Sequence, residues 1–407
     1  MKIALLQSNP VTGDLRANAQ ALTVAAAKAA EQGAELCVAP ELALCGHNAG
    51  DLLLQSGFME DCRTVLNATA ESFGRESSLP PLLLGAPVAN PVPQGKRLQN
   101  CAVLLSQGKV SVVGRKVLLP SFGIHEDARY FEPGIACGVL QHKGWRLMVT
   151  LGEDVWNNRG FWRSRYLFDT DPVAEFIAAG GVDGLINLTA LPFEQGLPTL
   201  HQNVLNWLAT HYRLPVLAVN MVGGNDALVH YGGSVAFDGS GKLLARAPAF
   251  EEALLMVDIA SKKEGRIAAE LPVNEELWRA AVLGTRDFVR KCGFNAVVLG
   301  LSGGVDSALV AAIAVDALGP DKVTGLLMPS PYSSDGSVAD SLALAASLGL
   351  RTHTLPISTA MSAFEQTFAA AFEGGLAGLA GENIQARIRG NLLMAYANRF
   401  GALVLTT

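Results

Sequence analysis

The sequence predicts an α/β protein of two domains: a layered one over residues 1–260 and a doubly wound parallel sheet over 275–407, joined by a linker over 261–274. Three observations carry this. Short apolar runs suited to strands alternate with runs of helical spacing through both parts. The alternation stops at the polar stretch Ala260 to Arg266 and then restarts. After the restart the order is strand, helix, strand, helix, which implies a parallel sheet closed by crossover helices. The chain has 407 residues, enough for two ordinary domains. Hydrophobic residues make up 50% and charged residues 17%, which favours buried cores over disorder.

The elements follow in order. Lys2 to Gln7 is apolar enough for a first strand. Ala17 to Gln32 has helical spacing and stops at Gly33, a residue suited to the position after a helix. Glu35 to Ala39 is a second strand. Cys101 to Leu119 is expected to form a hairpin turning at Gln107-Gly108-Lys109. Trp145 to Leu151 and Gly184 to Leu188 are strands, with a helix from Asp171 to Ala179 between them. Leu200 to Tyr212 is a helix, Val216 to Val222 a strand, and Gly232 to Ala245 a hairpin around Asp238-Gly239-Ser240-Gly241. The first domain closes near Ile259. In the second, Glu275 to Lys291 is an amphipathic helix and Ala296 to Leu301 an apolar strand. Ser302 to Ser307 is a Gly-rich turn and Ala308 to Leu318 a helix. Val323 to Met328, Thr352 to Ile357 and Leu403 to Thr407 are strands; Ser337 to Leu348 and Asn383 to Phe400 are helices. No repeat recurs at a fixed period. The alternation is still running at the last residues, LVLTT, so further residues are expected to complete the second domain.

Composition excludes several classes of function. The net charge is −6 and the pI about 5.7, with no Lys/Arg-rich block, which argues against a nucleic-acid surface. No apolar stretch reaches the roughly 18 residues needed to span a bilayer, and MKIALLQSNP is interrupted too soon for a signal peptide. The six cysteines are scattered without a CxxC pair, so a zinc site or disulfide framework is not expected and a reducing cytoplasm is.

The clearest chemical signal is VVLGLSGGVDSALVAAI, from Val297 to Ile313. A strand delivers Gly300, Leu301, Ser302, Gly303, Gly304, Val305, Asp306 and Ser307 to the start of a helix. Glycines let the backbone close around a ligand, and the free N–H groups of a helix start favour an anion. Ser302 and Ser307 add hydroxyl donors. Asp306 repels a bare phosphate, so a Mg²⁺ between them is expected. The pattern is not a Walker A loop. It resembles the SGGxDS loop of the N-type ATP pyrophosphatases. That resemblance implies cleavage of ATP between its α and β phosphates and adenylation of an acceptor oxygen.

Two further segments, LLMPSPYSS (Leu326 to Ser334) and GENIQARIRG (Gly381 to Gly390), resemble those of NAD(+) synthetases. On a helix, Asn383 and Arg387 lie four apart and share a face, with Glu382 beside them. By the resemblance, Asn383 and Arg387 contact deamido-NAD(+) and Thr407 contacts ATP. The family's acidic metal ligand and late Lys loop would follow Thr407, and a protein ending there is expected to be inactive.

In the first domain VAPELALCG, RKVLLPSFG and TLGEDVW resemble the nitrilase superfamily. The resemblance implies an αββα sandwich in which a cysteine attacks an amide, a glutamate moves the proton and a lysine stabilises the oxyanion. Glu41 and Lys116 stand at the last two positions. Gly152 stands at the cysteine position and has no side chain. The family's glutamine-binding Tyr, Ser and Lys are replaced by Phe122, Leu191 and Leu197. Its Asp-Glu pair reads Glu126-Asp127, and its Gly-Gly-Gln-Asp-Glu reads Gly-Gly-Asn-Asp-Ala at Gly223 to Ala227. Glutamine's charged end would meet leucines. Glu41 and Lys116 are then expected to persist as a buried ion pair. Cys45, four residues after Glu41, is the alternative nucleophile.

The two resemblances in this order are the layout of glutamine-dependent NAD(+) synthetases and span essentially the whole chain. They imply a ligase that forms NAD(+) from deamido-NAD(+) and ATP, as a homo-oligomer. With the amidase site degenerate, ammonia is the expected nitrogen donor. The alternatives are a glutamine-using enzyme with an unusual nucleophile and a scaffold that binds nucleotide without turnover.

Overall fold

The structure, a computed structural model, describes residues 1–76, 78–162, 168–261, 263–373, 375–376 and 378–407. Lys262, within the expected linker, lies outside the described residues. The chain forms two compact units, Met1–Ala280 and Ala281–Thr407. Among the described residues no helix is long and apolar enough to cross a membrane.

The first unit opens with β1 (Lys2–Gln7), α1 (Leu15–Glu31), β2 (Leu36–Val38), α2 (Ser56–Arg75) and β3 (Leu82–Ala89). Next come β4 (Leu98–Ser106), β5 (Lys109–Arg115), the one-turn α3 (Asp127–Tyr130), β6 (Gly138–His142) and β7 (Trp145–Leu151). α4 (Pro172–Ala179), β8 (Gly184–Thr189), α5 (Leu197–Tyr212) and β9 (Val216–Asn220) follow. The unit's remaining strands are β10 (Val222–Asn225), β11 (Leu228–Tyr231), β12 (Val235–Phe237), β13 (Leu243–Arg246) and β14 (Ala253–Asp258). Two six-stranded sheets result, ordered β14-β1-β2-β3-β4-β5 and β13-β12-β9-β8-β7-β6; β10 and β11 form a separate hairpin.

The side-chain period of a strand explains the layers. In β1, Ile3 and Leu5 enter a core shared with Leu147, Val149 and Leu151 of β7, between the sheets. Ala4 and Leu6 point the other way, toward α1 and α2. Met148 of β7 points toward α5, with Val204, Leu205 and Leu208. Strands covered on both faces read as continuous apolar runs, as these do. The architecture is an αββα sandwich.

In the second unit β15 (Val297–Leu301), β16 (Val323–Leu327), β17 (Arg351–Thr354) and β18 (Leu403–Leu405) form one sheet ordered β17-β16-β15-β18. Every pairing in it is parallel. Val297, Leu299 and Leu301 pack against α7 (Val305–Leu318) and α8 (Asp335–Leu348), together with Val289 from α6 (Val273–Lys291). Val298 faces the opposite side, where Ile357, Ile388 and Ala397 lie, the last two on α10 (Leu379–Phe400). Met361 of α9 (Ser358–Ala369) joins them. Helices cover both faces, so the sheet is doubly wound.

Several boundaries differ from expectation for local reasons. α1 starts at Leu15, because the Asp14 side chain caps it by accepting from the Ala17 N–H at 3.1 Å. α7 starts at Val305, so the last three residues of the expected Gly-rich turn are already helical. α5 starts at Leu197, with Pro198 preset for a first turn. α2, β3, β6, β10, β11, β14 and α9 had no assignment from the sequence.

Candidate functional site

In the first unit three loops converge at one end of the sandwich. Glu41 follows β2, Lys116 directly follows β5, and Gly152 directly follows β7. The Lys116 ammonium is 1% exposed and touches three carboxylates: Glu41 Oε1 at 2.8 Å, Asp127 Oδ2 at 2.6 Å and Glu153 Oε2 at 2.5 Å. Glu41 Oε1 also accepts from Asn100 Nδ2 at 2.7 Å. The expected contact between Glu41 and Lys116 is therefore part of a cluster of four ionisable residues.

Asp154 holds the loops in register. Its Oδ1 accepts from the N–H groups of Val117 and Leu118 at 2.9 and 2.8 Å, and its Oδ2 from Leu151 N–H at 3.0 Å. Burial nevertheless raises its carboxyl to about 6. Asn187 Nδ2 steadies the elbow from β8, donating to the Gly152 carbonyl at 3.3 Å.

Burial pushes the Glu41 carboxyl up to about 8; Lys116 opposes the rise, and Glu153 and Asp127 add to it. Burial works against the Lys116 charge, but the three carboxylates reverse that and hold the ammonium well above its ordinary range. Burial also opposes ionisation of Asp127, and Lys116 overrides it, keeping that carboxyl below its ordinary value. Burial thus favours the protonated form of Glu41, and the carboxylates around Lys116 favour its charged form.

Gly152 has φ +45°, a left-handed conformation. A Cβ built there lies 2.6 Å from Glu41 Oε2 and 2.8 Å from Lys116 Nζ. The Glu41 and Lys116 side chains occupy the volume in which a side chain at position 152 would start. Cys45 gives no substitute. It is fully buried, burial raises its thiol far above the ordinary range, and Sγ donates to the Gly46 carbonyl at 3.4 Å.

Beside the cluster lies a cavity of about 350 Å³. Its apolar wall is Phe122, Trp156, Trp162, Phe168, Leu191 and Leu197, so the three positions singled out from the sequence meet in one place. Glu153, Asn157, His125 and Glu194 supply its polar edge. Asp127, Glu153 and the tryptophans were not singled out as site residues. Glu153 sits within the quoted TLGEDVW, whereas only the fold brings Asp127 to Lys116.

In the second unit the chain runs from β15 to β16 and β17 on one side and returns as β18 on the other. The switch point of such a sheet is where ligands bind. A cavity of about 400 Å³ opens there, lined by Gly300, Leu301, Ser302, Gly304, Asp306 and Ser307. Thr407 lines it from beyond β18, and Ser337 and Arg389 from α8 and α10. Ser307 Oγ donates to the Gly304 carbonyl at 2.9 Å and lies 3.2 Å from Ser302 Oγ, which accepts from Gly304 N–H at 3.3 Å. Gly303 has φ +80°, and a Cβ there would fall 2.6 Å from the Ser337 carbonyl oxygen. Val305 belongs to the same loop but is 80% exposed.

Asn383 and Arg387 are exposed on α10, with Arg387 Nη1 donating to the Asn383 carbonyl at 3.2 Å. Neither lines this cavity. The α10 residues that do are Leu393 and Arg389, whose Nε donates to the Met328 carbonyl at 3.1 Å. It lies in the quoted GENIQARIRG, two residues beyond Arg387.

The NAD synthase family matches residues 277–407, and the carbon-nitrogen hydrolase family matches residues 2–136 and 168–269. The second match leaves out the segment that carries Gly152. A glutamine-dependent NAD(+) synthetase from Synechocystis is 43% identical, with all of this chain and 73% of that protein aligned. One from Thermotoga maritima is 34% identical, over all of this chain and 74% of that protein. The solved structure of the glutamine-dependent NAD(+) synthetase from Acinetobacter baumannii with ADP superposes with a TM-score of 0.89 at 33% identity. That superposition covers all of this chain and 74% of that one.

Proposed function

The chain belongs to the glutamine-dependent NAD(+) synthetase family, a family of ATP-using ligases, and on that premise we propose that it makes NAD(+) with ammonia itself as the nitrogen donor. The observation that carries this is Gly152. The elbow offers no nucleophile, and the space for one is filled by Glu41 and Lys116. The neighbouring cavity adds to it, since Phe122, Leu191 and Leu197 put apolar side chains where the family resemblance puts a glutamine-binding Tyr, Ser and Lys.

The chemistry lies in the second unit. The nicotinate carboxylate of deamido-NAD(+) attacks the α phosphorus of ATP. The α–β phosphoanhydride breaks and pyrophosphate leaves. Ammonia then attacks the acyl carbon, and AMP departs with the bond electrons. The backbone N–H groups from Ser302 to Ser307 and the start of α7, at the cavity edge, would receive the departing phosphates. Ser302 and Ser307 shape the turn that holds them. Gly303 lets the loop pass Ser337 without a side chain between. Arg389 and Thr407 bound the same cavity. Asn383 and Arg387 are assigned to the dinucleotide on family resemblance, with an exposed face of α10 to present them.

Mg²⁺ fits the cradle at Asp306, an exposed carboxylate on its wall. One carboxylate suits an ion that takes most of its ligands from phosphate and water. When bound, the ion would offset charge on the departing pyrophosphate. Glu41, Asp127 and Glu153 are also close enough to share an ion, but the Lys116 ammonium already fills that position.

The test is NAD(+) formation by the purified protein with ATP, Mg²⁺ and deamido-NAD(+), comparing ammonium chloride with glutamine. Turnover with ammonium and none with glutamine is expected. Efficient turnover with glutamine would sink the reading.

A further inference from the structure

We propose that a groove on the first unit, outside both cavities described above, binds a free aliphatic carboxylate, a fatty-acid-like anion with an unbranched tail. The groove holds about 680 Å³, within the range of ligand sites. It runs beside α2 at the edge of the first sheet, where β5 is the last strand. Met59, Arg63 and Leu66 recur at helical spacing and turn one face of α2 toward it. Val88 of β3, Leu98 of β4, and Val110 and Val112 of β5 line it from the strands. Among its described lining residues Tyr130 is the one ring, so the surface is aliphatic, unlike the aromatic cavity beside Gly152. Leu54, 60% exposed, and Val112, 37% exposed, leave apolar surface open to water. A flexible methylene chain follows such a surface better than a flat ring does.

Charge names the head group. The chain carries a net charge of −6, yet the described lining residues include four cations, Arg63, Lys96, Arg97 and Arg129, and one carboxylate, Glu60. Glu60 pairs with Arg63, and Arg129 Nη2 pairs with Asp51 Oδ1 at 2.9 Å. Lys96 stands near Glu132, which accepts from its backbone N–H at 2.8 Å. Arg97 is exposed, and its guanidinium pairs with no carboxylate among the described residues. Residues 77, 163–167, 262, 374 and 377 include no Asp or Glu. A planar guanidinium matches a carboxylate through two parallel N–H donors. An alkylammonium would meet four cations instead. A floor set between a helix and strands receives a single tail, whereas a bilayer surface is bound by a protruding apolar face. The occupant is therefore the free amphiphile.

The experiment titrates the purified protein by calorimetry with acetate, octanoate, decanoate, decyltrimethylammonium and decyl glucoside, the amphiphiles below their micelle-forming concentrations, and with vesicles of phosphatidylglycerol. Decanoate is expected to bind roughly fivefold tighter than octanoate, because two more methylenes leave water in a groove open on one side. It should bind roughly fivefold tighter than decyl glucoside, a modest gain suited to an exposed cation. Arg97→Glu should weaken decanoate about tenfold and leave decyl glucoside unchanged. Leu54→Ser should weaken both about twofold. Both side chains are exposed, so neither change puts folding at risk. Binding of the ammonium or the glucoside as tightly as decanoate would overturn the head group, and binding of acetate as tightly would overturn the tail. No binding of free decanoate, with or without binding of the vesicles, would overturn the proposal outright.

Discussion

Restoring a side chain at the elbow is expected to damage the first unit without restoring an amidase. The perturbation is Gly152→Cys. Its backbone, at φ +45°, is left-handed, which costs a non-glycine residue about 1–2 kcal/mol. The new Cβ starts 2.6 Å from Glu41 Oε2, 2.8 Å from Lys116 Nζ and 3.1 Å from Lys116 Cε. Those are the ends of flexible side chains, but neither is free to swing. Glu41 is tied to Asn100 and Lys116, and Lys116 to three carboxylates. Forcing them apart resembles overpacking a core, about 1–3 kcal/mol. The sum is about 2–5 kcal/mol, a fall in midpoint of roughly 2–4 °C for each kcal/mol in a unit of this size. Gly152→Ala introduces the same Cβ without sulfur and should lose a similar amount. Thermal and urea unfolding measure the loss, and ammonia release from glutamine measures the activity. Unchanged stability in both variants would refute the steric argument. Glutamine hydrolysis by the cysteine variant would refute the claim that the cavity no longer fits glutamine.

Three other outcomes follow from the same geometry. Lys116→Met removes the cation shared by buried Glu41 and Asp127 and half-buried Glu153, so the first unit should lose about 3–5 kcal/mol by urea unfolding. That loss should shrink toward acid pH, where those carboxylates protonate. For Glu41 the sign runs the other way from an ordinary salt bridge. Its folded value is raised from 4.5 to about 8, so the fold holds a proton that the unfolded chain has released. Its contribution is full below about 4.5 and is lost as pH rises through about 8. Wild-type stability should therefore fall across that window relative to Glu41→Gln, at most about 1.4 kcal/mol per pH unit, in paired urea midpoints. Gly303→Ala pushes a Cβ to 2.6 Å from the Ser337 carbonyl oxygen, a backbone atom that cannot swing aside. Ammonium-dependent turnover should drop roughly a hundredfold, as for a misplaced reacting group, while unfolding of the first unit is unchanged.

The parts of the molecule legible in its sequence are those where chemistry and backbone coincide. A strand followed by Ser302-Gly303-Gly304 announces both a turn and its ligand, because glycine is needed for φ and for contact with Ser337. Phe122, Leu191 and Leu197 could be compared with a family pattern one by one, and the fold places all three on one cavity wall. Asp127 was a different matter. It is about as far from Lys116 in sequence as a short loop allows, and only the turn of α3 brings its carboxylate to the ammonium. α2 carried a readable signal that went unassigned: Cys62, Val65, Leu66, Ala70 and Phe73 recur at helical spacing and form its buried face. β10 carried none, since Val222-Gly-Gly-Asn225 is poor in strand formers and is held by its pairing with Leu228–Tyr231.

The glycine at the elbow also changes what reagents can find on this protein. Electrophiles that mimic glutamine disable amidases by capturing the thiolate that their own recognition has placed next to them. Here the elbow presents backbone, and Cys37, Cys45, Cys62, Cys101 and Cys137 are all buried. Cys292, on the second unit, is the exposed thiol. An activity-based thiol probe applied to a proteome would pass this enzyme over, or tag it at a position that reports nothing about catalysis. On the reading that ammonia is the nitrogen donor, a glutamine antagonist is expected to leave NAD(+) formation by this protein unchanged.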